Sequence, residues 1–142
     1  MLKRMISDKG ARREALPGKM SYEEARASLE RHAHDARLFL AARADVEPEI
    51  LYYLASDDTA EVRRLVAANP STPQQANKLL AGDSDGDVRH ALAVKVGRQL
   101  NDPNAAWTPR AHALAIEVAE RLAHDKVQRV REAVAHVGAK AH

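Results

Sequence analysis

Cysteine is absent from this chain, which excludes disulfide staples, thiolate nucleophiles, iron–sulfur ligation and cysteine-type zinc sites. Aromatics are nearly absent too: one Phe, one Trp and three Tyr, 4% of the residues. So few rings leave little for stacking nucleic-acid bases, and six glycines leave little for a Gly-rich phosphate loop. No run approaches the roughly 18 to 20 consecutive apolar residues of a membrane span. The opening MLKRMISDKGARR does not read as a secretory leader, because charge interrupts Leu2, Met5 and Ile6 before an apolar stretch can form. The expectation is a soluble, cytoplasmic protein.

What is present is Ala, Leu and Val within a hydrophobic share of 45%, beside 30% charged residues. A core built from these, in 142 residues, favours close-packed helices over a sandwich or barrel, which need more β-branched and aromatic side chains. Net charge is +2, but its placement matters more than its total. Residues 1–20 hold Lys3, Arg4, Lys9, Arg12, Arg13 and Lys19 against Asp8 and Glu14, a net of +4 that leaves the remainder at −2. A mildly acidic body disfavours a nucleic-acid cradle and confines electrostatic binding to a basic N-terminal arm.

Internal similarity carries the most information. Three segments align without gaps, beginning at Asp57, Asp83 and Asp125. Each reads Asp, four residues, Val-Arg, two residues, then an apolar pair ending in Ala: Val62-Arg63 with Val66-Ala67, Val88-Arg89 with Leu92-Ala93, Val130-Arg131 with Val134-Ala135. A degenerate copy precedes them at Asp35 to Ala41, so that Arg37, Arg63 and Arg89 fall 26 residues apart; a stretch from Gly97 to Trp107 lengthens the last interval to 42. Between the copies lie apolar runs that open with Pro48, Pro73 and Pro109. Proline suits a helix start, where its missing N–H would have had no intrahelical partner. Thr72 and Thr108 read as N-caps, Thr72 with Gln75 and Ser21 with Glu24 as capping boxes, the latter opening a helix from Tyr22 to about Arg31. Asn69-Pro70 reads as a helix stop, Asn taking the left-handed conformation. Each unit is thus a helical hairpin, with a short A helix starting at Pro and a B helix carrying Val-Arg.

Such hairpins resemble the HEAT-like and leucine-rich-repeat-variant families. The wording Glu61-Val62-Arg63, then Val66-Ala67-Ala68-Asn69-Pro70-Ser71-Thr72-Pro73, then Leu79-Leu80-Ala81-Gly82-Asp83, is similar to a bacterial family of uncharacterised HEAT-like repeat proteins, mostly alphaproteobacterial. The resemblance covers about residues 21 to 137 and implies an all-α fold of hairpin repeats stacked as a short right-handed α-solenoid. It implies no defined activity. Members of that family are usually longer, which suggests an N-terminal portion or a short member. The first copy, lacking the Asp and Val, and the Gly97 to Trp107 stretch depart from the pattern. The domain expectation is a basic arm over 1–20 and one repeat domain over 21–142, with units at about 35–57, 58–83, 84–124 and 125–137.

Asp57, Arg63, Asp83, Arg89, Asp125 and Arg131 form the expected structural ladder, because stacking contacts recur once per repeat whereas catalytic groups seldom do. Each Asp would accept N–H groups at a helix start, and each Arg would pair with an Asp of the same or the adjacent unit. Seven histidines include His32-x-His34 and His112, His124 and His136 at intervals of 12, but a break before Asp125 separates the last from the others, and no metal signature is present. No nucleophile elbow, Walker or dinucleotide motif appears either, so no enzyme, metal or cofactor is expected. Trp107 is expected to cap the core.

The resulting expectation is a noncatalytic protein-interaction or scaffold module that binds a protein or peptide. Arg64, His90 and Glu132 are its outward B-helix positions, followed one turn later by Ala68, Val94 and His136. Of the adjacent Tyr52 and Tyr53, one faces solvent as an anchor. Open solenoid ends offer self-association. The alternatives are nucleic-acid binding through the arm and an unrecognised ligand-modifying helical-repeat enzyme, since fold alone does not exclude catalysis.

Overall fold

A computed structural model describes residues 21–140. Among them are seven helices and no strand: α1 (Tyr22–Ala42), α2 (Pro48–Leu54), α3 (Ala60–Ala68), α4 (Gln74–Leu80), α5 (Gly86–Asn101), α6 (Pro109–Leu122) and α7 (Gln128–Lys140). The fold is all-α. None of these helices is long and apolar enough to cross a membrane. The basic arm expected over residues 1–20 lies outside the described residues. The chain divides into residues 1–37 and residues 38–142, a boundary that falls within α1.

In the first part, the Ser21 hydroxyl accepts the Glu24 N–H at 3.1 Å, the cap expected there. The helix does not end near Arg31. It runs to Ala42, because no Gly or Pro interrupts it, so the degenerate copy at Asp35 to Ala41 is the end of one long helix rather than the second half of a hairpin.

In the second part, α3 packs on α5 and α5 on α7, while α2, α4 and α6 lie side by side against them. The core between these two rows is built almost wholly from Ala, Val and Leu, including Leu51, Val62, Val66, Leu80, Val88, Leu92, Val96, Val118, Leu122 and Val130. Within α5 the stripe Val88, Leu92 and Val96 follows helical spacing and is fully buried. At Gly97 a Cβ would stand 2.8 Å from backbone, the Ala133 carbonyl of α7, a neighbour that cannot swing aside as a side chain can. A glycine in a helix interior costs about 1 kcal/mol, and here it lets two helices touch.

Helix ends follow the chain's local chemistry, with some surprises. Pro48 opens α2 and Pro109 opens α6, where the Thr108 hydroxyl accepts the Ala111 N–H at 3.1 Å. Asp85 caps α5, accepting from the N–H groups of Asp87 and Val88. Thr72 makes no capping box: it is buried, and its hydroxyl donates at 2.7 Å to the Val66 carbonyl in the last turn of α3, which also accepts the Asn69 N–H. Asn69 does stop α3, yet at φ −76° it is extended rather than left-handed. The following Pro70 favours that conformation. In α5 the aligned residues are Lys95 and Val96, with no proline, so the helix continues to Asn101 and absorbs the first half of the expected insertion. Trp107 is half-buried and meets His112 edge-to-face, centroids 5.4 Å apart, instead of capping the core.

Candidate functional site

The aligned Asp and Arg residues come together at the ends where α3, α5 and α7 begin. Each Asp first folds its own turn, its carboxylate accepting the N–H two residues on: Asp57 from Thr59, Asp83 from Asp85 and Asp125 from Val127, all at 2.9 Å. Each Arg then reaches back to its own turn. Its Nη1 donates to the main-chain carbonyl of the Asp in its own unit: Arg63 to Asp57 at 2.8 Å, Arg89 to Asp83 at 2.7 Å, Arg131 to Asp125 at 2.8 Å. In the first two, Nε and Nη2 also grip the next aspartate of the ladder. Arg63 does so on Asp83 at 2.8 and 3.3 Å, and Arg89 on Asp125 at 2.8 and 3.4 Å.

These pairs are sheltered. The Arg89 and Asp125 side chains are 7% and 8% exposed, Arg63 and Asp83 15% and 7%. Burial pushes the Asp125 carboxyl up, but hydrogen bonds from Arg89 and the Val127 N–H outweigh it and hold the group below its ordinary range. The hydrogen bond to Asp83 likewise raises Arg63. Two-pronged guanidinium–carboxylate pairing fixes geometry as well as charge, so α3 is registered on the turn before α5 and α5 on the turn before α7. With their oxygens committed in this way, Asp83 and Asp125 are poorly placed to act on a substrate.

A second set of polar contacts, unforeseen in the sequence, lies toward the C-terminal end of α3. The buried Asn69 side chain donates to the carbonyls of Ala41 at 2.9 Å and Arg43 at 2.7 Å. Lys95, six residues after Arg89 as Asn69 is after Arg63, donates to the Asn69 carbonyl at 3.0 Å and to Asn77 Oδ1 at 2.7 Å. It is 6% exposed, and loss of water drops its ammonium to about 7. A lysine on the stripe of Val88, Leu92 and Val96 was the available signal.

The surface is different in kind. Tyr52 and Tyr53 are both exposed, at 45% and 70%, where only one was expected to be. Tyr52 shares a shallow open groove with Leu79 of α4 and Leu114 of α6, beside the cations Lys78, Arg110 and Arg121. Lys78 pairs with Glu117 at 3.1 Å, and Arg121 lies across Gly82. On the other row Arg64 and Glu132 are exposed and His90 is half-buried. Asp87, ion-paired with Arg129, sits in the field of Arg64 and His90, and its carboxyl is lowered first by the Arg129 hydrogen bond. Of the next-turn positions Ala68 and His136 are exposed and Val94 is half-buried.

Among the described residues no three His, Asp or Glu side chains gather as a metal-ligand set. His32 turns Nδ1 to the Ser28 carbonyl of its own helix, and His124, just past the end of α6, turns Nδ1 to the Glu120 carbonyl. Comparison with protein-family models, with curated proteins and with solved structures gave no match. The resemblance to helical-hairpin repeats therefore rests on the repeat within the chain.

Proposed function

We propose that the chain is a noncatalytic protein-interaction module, a short right-handed α-solenoid of HEAT-like hairpins that binds a protein or peptide through its outer surface. The observation that carries this reading is a division of labour. Charged groups in register are spent inside on the ladder, while Tyr52 and Leu79 stand exposed on adjacent helices beside Arg110 and Arg121, with Tyr53 exposed next to Tyr52. Aromatic and Arg side chains on a shallow apolar surface are the usual anchors of protein recognition. The same reading carries the bacterial resemblance and a cytoplasmic location with it.

The test compares partner capture by the full chain with capture by Tyr53→Ala and Leu79→Asp variants. Both positions are exposed, so the variants should fold while capture falls. Capture unchanged in both would overturn this surface as the binding site. A gel-shift titration at low and physiological salt separates the nucleic-acid alternative, using the full chain and a form with Lys3, Arg4, Lys9, Arg12, Arg13 and Lys19 replaced by Ala. Weak binding, lost with salt and with those cations, is expected, since phosphate binding scales with the counterions displaced. Tight, salt-resistant binding that survives the replacements would overturn the module reading.

A further inference from the structure

The ladder pattern continues into α7, but its partner does not. Arg131 makes the inward half of the contact, Nη1 to the Asp125 carbonyl, yet among the described residues no carboxylate meets its Nε and Nη2. One turn later the three copies share an alanine. Ala67 and Ala93 are 0% exposed, in helices that are followed by another, α5 on α3 and α7 on α5. Ala135 is exposed. The face of α7 thus keeps a guanidinium and a small residue in the places that the two earlier interfaces cover.

We propose that this face of α7 docks a helical hairpin of a partner protein that presents an aspartate in the turn before its second helix. The two internal pairs define the required chemistry. The incoming carboxylate would take both Nε and Nη2 of Arg131, as Asp83 and Asp125 do for Arg63 and Arg89, while Ala135 lets the helix approach closely. Aspartate is specified over glutamate because the same short carboxylate must also accept the N–H two residues on, as Asp83 and Asp125 do. A second copy of this chain is a poor occupant: Asp83 and Asp125 are already gripped, and Asp57 is engaged as well. The proposal rests on the interaction-module reading and adds an end-on site to it.

The probe is a synthetic peptide reproducing residues 102–137, the hairpin whose Asp125 meets Arg89, titrated into isotope-labelled full chain and followed by amide chemical shifts. Shifts centred on Arg131 and Ala135 are expected, with affinity falling at least about tenfold for an Asp125→Asn probe and for an Arg131→Gln chain. An Ala135→Arg chain, altered only at an exposed position, should lose binding while keeping its helicity; Arg64→Ala should leave binding unchanged. No shift at α7, shifts centred on Arg89 instead, or equal binding by the Asp125→Asn probe would each overturn the proposal. So would sedimentation of the unliganded chain showing self-association that Ala135→Arg abolishes, because a second copy would then be the occupant. The Tyr53 and Leu79 variants probe a different surface, so either proposal can fail while the other stands.

Discussion

At the ends where α3 and α5 begin, guanidinium meets carboxylate, whereas at the far end of α3 the donors of Asn69, Thr72 and Lys95 meet carbonyl oxygens and bear no carboxylate. Both arrangements satisfy groups that a helix terminus leaves unpaired. They differ in what they do with charge. The Arg89–Asp125 pair neutralises itself within the contact, and the Asp125 carboxyl is held low, so this edge stays intact until the solution is strongly acidic. Lys95 has only dipoles for company, and its charge is costly enough that the ammonium titrates near 7. One row of helices is therefore held at one end by an interaction indifferent to neutral pH and at the other by one that is sensitive to it.

The largest expected effect is on the paired edge. Arg89→Ala strands the buried Asp125 carboxylate and frees the Asp83 carbonyl, and should cost about 3 to 5 kcal/mol in urea melts. A loss below about 1 kcal/mol would mean that the ladder does not hold the hairpins together.

Next comes the pH dependence of the opposite edge. Lys95 has its folded pKa lowered, so between about 7 and the usual lysine range the unfolded chain binds the extra proton. Stability should rise with pH across that window, by up to about 1.4 kcal/mol per pH unit, and should not gain from this group below it. Subtracting the profile of Lys95→Met isolates the contribution; parallel profiles would show that Lys95 is not desolvated as the structure places it. On the acid side the sign for Asp125 is the reverse of a destabilised carboxylate: its contribution is present above the ordinary aspartate range and fades as pH falls through the lowered value.

The smallest effect sharpens the contrast within a single helix. Arg64, next to Arg63 but exposed, should tolerate Ala within about 0.5 kcal/mol. A cost comparable to that of Arg89→Ala would place part of the ladder's role on the surface.

The same contrast explains how much could be read beforehand. The ladder was legible because one residue type recurs at one register: Asp57, Asp83 and Asp125 with Arg63, Arg89 and Arg131. The opposite edge was not, because the aligned positions are Asn69, Lys95 and Val137, and a contact made by different chemistries leaves no repeat to notice. Helix starts marked by Ser21, Pro48 and Thr108 were readable from local chemistry. The length of α1 was misread and the run of α5 to Asn101 was unmarked, since both depend on the absence of a stop rather than the presence of a signal. Tyr52 and Tyr53 were legible as candidates from their adjacency. Their joint exposure depends on how α2 lies against α4, which spacing along one helix does not reveal.

The most direct test of the ladder is a double-mutant cycle on Arg89→Ala and Asp125→Ala, read by urea unfolding. If the two side chains hold successive hairpins through one buried contact, the double variant should be more stable than the summed single losses predict, with a coupling of about 1 to 3 kcal/mol. Simple additivity, with a coupling near zero, would contradict the claim that this pair registers one hairpin on the next.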